Sequence, residues 1–155
     1  MNNNDILRRI RYTFNFSDSK MIELFSSGGL LVTRAQVSDW LKKEDDPECK
    51  ELDDEHLAAF LNGLINDRRG KKEGPQPEPE KQLNNNIILR KLKIALNLKD
   101  EDIIGILELV RFRLSKPELS AFFRNPSHNH YRACKDQILR NFLHGMQLKY
   151  SESQS

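Results

Sequence analysis

A chain of 155 residues with no apolar run approaching ~18 residues and no opening signal-peptide pattern is expected to be a soluble protein that neither enters nor crosses a membrane. Its two cysteines, Cys49 and Cys134, are expected as reduced thiols in a cytoplasmic protein. The net charge of +2 conceals an asymmetry, −3 over residues 1–70 against +5 over residues 84–155. Opposite signs imply either attraction between the halves or a polyanion partner for the second half.

The predicted elements occur twice. Displaced by 82 residues, residues 2–64 align with residues 84–146 without a gap and with fifteen identities. A duplication of this kind predicts two units of about 65 residues, each small enough to need the other for stability. The spans are 1–69 for the first helical repeat, 70–83 for a linker, 84–150 for the second repeat and 151–155 for a frayed polar tail. Positions kept in both copies should be fold residues.

The first helix of each repeat carries Ile6, Leu7, Ile10 and Phe14, matched by Ile88, Leu89, Leu92 and Leu96 at helical period. Asn4 and Asn86 are the expected N-caps, and Asn15 and Asn97 stand where a left-handed residue would end the helix. The second helix starts near Asp18 and Asp100. It closes at Gly28-Gly29 in copy one, where copy two has Val110-Arg111.

The third helix has the clearest start, because Thr33-x-x-Gln36 and Ser115-x-x-Glu118 both fit a capping box. Its buried face should be Val37, Trp40 and Leu41, matched by Leu119, Phe122 and Phe123. The fourth helix has Leu57, Phe60, Leu61 and Leu64, matched by Leu139, Phe142, Leu143 and Met146. Gly63 and Gly145 interrupt that stripe in both copies, which predicts close backbone approach at a helix crossing. The linker GKKEGPQPEPEKQL cannot bury a core and is read as solvated. No segment alternates with period two, so the fold class is all-α, two tandem repeats of about four helices each.

The first three helices resemble a helix-turn-helix unit, with a basic first helix and VTRAQVSDWL similar to the third-helix pattern of repressor-type domains. Gly29-Leu30-Leu31 makes the turn longer than the usual one. The equivalent copy-two face, with Pro117, Glu118 and Ala121, is poor in base-reading chemistry. The chain also resembles the YehS-like family of uncharacterised bacterial proteins, which have two tandem copies of a domain of unknown function. NNNDILRRIRYTFNFSD, VSDWLKKED and FLNGL carry the likeness in copy one. NNNIILRKLKIALNLKDEDIIGILEL, LSKPELSAFFRNPSHNHYRAC and ILRNFLHGM carry it in copy two. The resemblance implies a soluble cytoplasmic bacterial protein and no particular reaction, cofactor or catalytic residue.

The chain has no phosphate-binding glycine loop, G-x-S-x-G, H-E-x-x-H or C-x-x-C. His128, His130 and Cys134 could supply three zinc ligands only if they converged, and copy one has Asp46, Glu48 and Leu52 there. No catalytic residue, cofactor or metal is assigned, and an enzyme would need a deep pocket joining those three side chains. The basic positions are the candidate contacts. On the first helices they are Arg8, Arg9 and Arg11, matched by Arg90, Lys91 and Lys93. Around the third helices they are Arg34, Gln36 and Lys42 in copy one and Arg111, Arg113 and Lys116 in copy two. Tyr12 and Tyr131 are the easy stacking candidates for a single strand. The expected role is a non-catalytic helical binding or adaptor protein acting through protein–protein contacts or self-association. The alternative is a nucleic-acid-binding module working through phosphates.

Overall fold

A computed structural model, described over residues 1–152, contains eight α-helices and, among the described residues, no strand. Copy one supplies α1 (Asn3–Phe14), α2 (Asp18–Ser27), α3 (Arg34–Leu41) and α4 (Asp54–Arg69). Copy two supplies α5 (Asn85–Ala95), α6 (Asp100–Leu109), α7 (Lys116–Ala121) and α8 (Asp136–Glu152).

Local chemistry sets most of the boundaries. Thr33 and Ser115 open α3 and α7 with reciprocal capping boxes, Thr33 N–H donating to Gln36 Oε1 at 2.8 Å and Ser115 N–H to Glu118 Oε1 at 3.1 Å. Pro117 sits in the first turn of α7, where a missing N–H costs nothing. Asn15 and Asn97 turn the chain out of α1 and α5 with φ of 53° and 54°. Arg111 takes the same left-handed conformation, φ 58°, at the position where copy one has Gly29 at 109°.

Each repeat's first helix packs mainly on the other repeat's last helix, α1 on α8 and α5 on α4. Within each repeat α2 lies on α4 and α6 on α8. The repeats are thus related by a pseudo-two-fold exchange of partners. One core runs through both, with Leu7, Ile10, Phe25, Phe60, Leu64, Leu89, Phe142 and Leu143 at 0 or 1 % exposure. Ion pairs joining the halves are few among the described residues. The Met1 amino group lies 3.8 Å from Asp136, and Lys91 lies 3.0 Å from Glu80 of the linker. Apolar packing, rather than the opposite net charges, joins the copies.

Three sequence expectations are corrected. Asn4 and Asn86 are not caps. Asn2 and Asn84 are, accepting from Asp5 N and Ile87 N at 2.9 Å each. Asn4 and Asn86 are instead buried, 3 and 6 % exposed, and act as hubs. Asn4 donates to Trp40 O and Lys50 O at 3.0 and 2.7 Å and accepts from Leu52 N at 3.0 Å. Asn86 repeats the set with Phe122 O, Arg132 O and Cys134 N at 3.1, 2.8 and 2.9 Å. The middle asparagines tie to the start of the fourth helix, Asn3 to Asp54 and Asn85 to Asp136, both at 2.7 Å. A three-asparagine run kept in both copies therefore has three separate jobs.

Next, the tail does not begin at Ser151. Helix α8 continues through Glu152, with Tyr150 5.5 Å from the Phe14 ring, and the rest of the tail, residues 153–155, lies outside the described residues. Finally, the linker is charged and largely exposed but not detached. Leu83 N donates to Asp54 Oδ2 at 2.8 Å, and Pro79 and Glu80 are half-buried.

Candidate partner-binding groove

The starts of the third helices are the natural place for base-reading side chains, and their cations are engaged within the chain. Arg34 reaches Asp18 and Ser19 of α2, both at 3.3 Å. Lys116 reaches Glu101 of α6 at 2.6 Å, which raises the Lys116 pKa and lowers that of Glu101. Gln36 is spent on its capping box, and Lys42 pairs with Asp39 at 2.8 Å. The same layout in both copies marks the cations at positions 34 and 116 as ties between the second and third helices. Exposed pairs of this kind add little stability.

The first helices divide into two groups. Arg8 ion-pairs with Asp5 and donates to Lys42 O at 2.7 Å, while Arg90 donates to Phe123 O at 3.0 Å. Both guanidinium groups thus satisfy a carbonyl at the C-terminal end of the third helix of their own repeat, α3 and α7. Arg11 and Lys93 hold the equivalent acids Asp18 and Asp100 at 3.8 and 2.7 Å, and Lys93 also lies 4.3 Å from the Phe123 ring centroid. Lys91 is covered, donating to Asn62 Oδ1 at 2.6 Å and lying 3.0 Å from Glu80. Arg9, Arg111 and Arg113 have no ion-pair partner among the described residues.

The exchange of helices creates two grooves related by the repeat. The α5–α4 groove, about 790 Å³, has linker residues from Lys72 to Glu80 as one wall and Arg90, Lys91, Ile94 and Ile65 among the others. The α1–α8 groove, about 640 Å³, has no linker across it. Arg8, Arg9, Arg11 and Arg140 line it, together with Asp5, Tyr12 and Gln147. Four arginines thus line a groove with one carboxylate, Asp5, which is already paired with Arg8, while Arg11 pairs with Asp18. The buried Arg11 Nε has no hydrogen-bond partner, and Tyr12 is 66 % exposed.

Sequence reasoning found Arg8, Arg9, Arg11 and Tyr12 but missed Arg140 and Gln147. Nothing local in α8 signals that it lies beside α1, 130 residues earlier in the chain.

His128, His130 and Cys134 do not assemble a site. The two imidazoles lie 5.5 Å apart on the exposed loop before α8, whereas Cys134 fills the core position held by Leu52 in copy one. Among the described residues no group of three or more His, Cys, Asp or Glu is placed to hold a metal ion. Burial pushes the Cys134 thiol up to about 12, so it should resist alkylation at neutral pH. Native protein should titrate one thiol, Cys49, and denatured protein both; two fast thiols in the native state would contradict the core placement of Cys134. Above about pH 9 an unfolded Cys134 loses its proton while the buried one keeps it, so this residue's contribution should fall as pH rises from there.

The comparisons with known proteins follow the same duplication. The family model for a protein of unknown function (DUF1456) matches residues 3–70 and again residues 85–151. The uncharacterized protein YehS of Escherichia coli (strain K12) is 44 % identical over 147 residues, spanning 94 % of either chain. No solved structure matches. No described helix is long and apolar enough to cross a membrane.

Proposed function

Since the chain belongs to the family of proteins of unknown function (DUF1456), matched in both repeats, we propose its role from its own surfaces: a non-catalytic, cytoplasmic adaptor that docks a protein partner in the α1–α8 groove. The observation that carries this reading is the uncovered arginine cluster around Arg9, Arg11 and Arg140, beside an exposed tyrosine. Arginine and tyrosine are favoured anchors of protein interfaces because they combine large contact area with directed hydrogen bonds.

The test is a photoreactive phenylalanine analogue installed at Tyr12 in living cells. Discrete protein adducts that disappear in Arg9→Glu and Arg140→Glu backgrounds are expected. Absence of adducts, or adducts indifferent to both reversals, would sink the proposal.

A second reading keeps nucleic acid as the ligand. It is favoured by Arg111 and Arg113, which are exposed beside the start of α7 and free of ion pairs among the described residues. It predicts duplex binding in fluorescence anisotropy that collapses between ~50 and ~200 mM salt. It also predicts loss of that binding in Arg111→Glu with Arg113→Glu. The helix-turn-helix likeness gives it less support, because six residues separate α2 from α3 and the candidate readers Arg34, Gln36 and Lys42 are engaged internally.

A further inference from the structure

We infer that the α1–α8 groove takes an extended, proline-containing acidic segment of the partner protein, an inference that rests on the docking role proposed above. The molecule carries its own precedent. In repeat register Arg8, Arg9 and Tyr12 of the uncovered groove correspond to Arg90, Lys91 and Ile94 of the covered one. The covered groove is walled by the chain's own Glu- and Pro-rich linker. There the Glu80 carboxylate lies 3.0 Å from Lys91, whose side chain is only 11 % exposed. Pro77 of the same segment lies beside Asn62 and Ile65 of α4.

What the linker does on one side defines what the other side is shaped to receive. The pseudo-equivalent cation, Arg9, has no carboxylate across from it among the described residues, and neighbouring Arg140 adds a second guanidinium. Arginine matches a carboxylate in two parallel hydrogen bonds where lysine offers a point charge. The groove is therefore better suited to an acidic chain than its covered twin. Tyr12 replaces Ile94 and offers an exposed aromatic face, the surface on which extended proline segments dock. Proline also lowers the ordering cost of such a segment, because it is already extended when free.

Nucleic acid is the competing polyanion. The groove has a single aromatic for bases, and the precedent across the pseudo-two-fold is a polypeptide.

The test uses the full chain and a fluorescein-labelled synthetic peptide of residues 73–83, EGPQPEPEKQL. Companion probes are the same peptide with its glutamates changed to glutamine, and a random DNA duplex. Saturable anisotropy in the range of tens of micromolar is expected. Affinity should drop at least ~10-fold for the glutamine peptide and for Arg9→Glu, and again for Arg140→Glu should Arg9→Glu fail to fold. Arg113→Glu, away from the groove, should bind as the wild type does.

No binding at ~1 mM, binding unaffected by the groove reversals, or tighter binding of the duplex through the same arginines would each overturn the inference. Adducts at Tyr12 without peptide binding would overturn it while leaving the docking role standing. Loss of both would overturn both.

Discussion

Asn4→Ala is expected to remove about 3–5 kcal/mol of stability in urea unfolding, a large share of what a domain of this size holds. The amide is 3 % exposed and satisfies two carbonyls and one N–H from segments 36 to 48 residues away. Truncation strands all three groups in a poorly hydrated place, and each buried unsatisfied group costs about 1–3 kcal/mol. Asn86→Ala should behave alike, because its three partners are the register equivalents at the end of α7 and in the segment before α8. Asn4→Asp separates geometry from volume. It keeps an acceptor for Leu52 N but turns an anion toward Trp40 O and Lys50 O, so it should also be strongly destabilising at neutral pH. The contrast is Asn2→Ala, which removes only a cap and should cost about 1 kcal/mol. A loss of 1 kcal/mol or less at Asn4 would mean that water takes over the hub.

That contrast also shows which features of this chain were legible in sequence. Capping boxes at Thr33 and Ser115, left-handed Asn15 and Asn97, and the apolar stripes of all four helix types were readable because each is settled within a turn or two of chain. The role of Asn4 was not, because its partners lie far along the chain, and a cap was the only local use for an asparagine there. Duplication marked it as a fold residue without saying which kind. The basic pattern on the first helix was equally visible and equally undecided. Arg8 and Arg90 proved to close helix ends, Arg11 and Lys93 to hold Asp18 and Asp100, Lys91 to pair with Glu80, and Arg9 alone of the six has no side-chain hydrogen bond or ion pair among the described residues. Sorting them required knowing which carbonyls and acids of the second and third helices fold back beside the first, a tertiary placement that no helical period encodes. The groove adds a second difficulty: Arg140 and Gln147 of its wall come from the other copy, and its meaning comes from the linker seated on the other side.

Gly63→Ala is the second large effect, and here the duplication allows a graded expectation. A Cβ at residue 63 would stand 1.8 Å from Leu24 O, and one at Gly28 would stand 1.6 Å from Ala59 O. Two glycines, one on each side, thus let the α2 and α4 backbones touch. Copy two keeps only one of the pair. Val110 replaces Gly28, and the Gly145 Cβ would stand 2.3 Å from Ile106 O, the register equivalent of Leu24. The α6–α8 crossing is correspondingly wider. Backbone cannot rotate out of the way as a side chain can, so Gly63→Ala should force the helices apart and cost about 3 kcal/mol or more. That loss would exceed the roughly 1 kcal/mol gained in helix propensity. Gly145→Ala should cost less, since the first contact, Ile106 O at 2.3 Å, is half an ångström further away than Leu24 O is from residue 63. Gly105→Ala reverses the sign. It is exposed in α6 with nothing within 4 Å of the added carbon, so propensity alone acts and the protein should gain about 0.5–1 kcal/mol. Denaturant unfolding of the three variants should therefore rank Gly105→Ala above wild type, Gly145→Ala below it and Gly63→Ala lowest. A Gly63→Ala variant as stable as Gly145→Ala would mean that the two crossings are equally close and that the second glycine of copy one has no packing role.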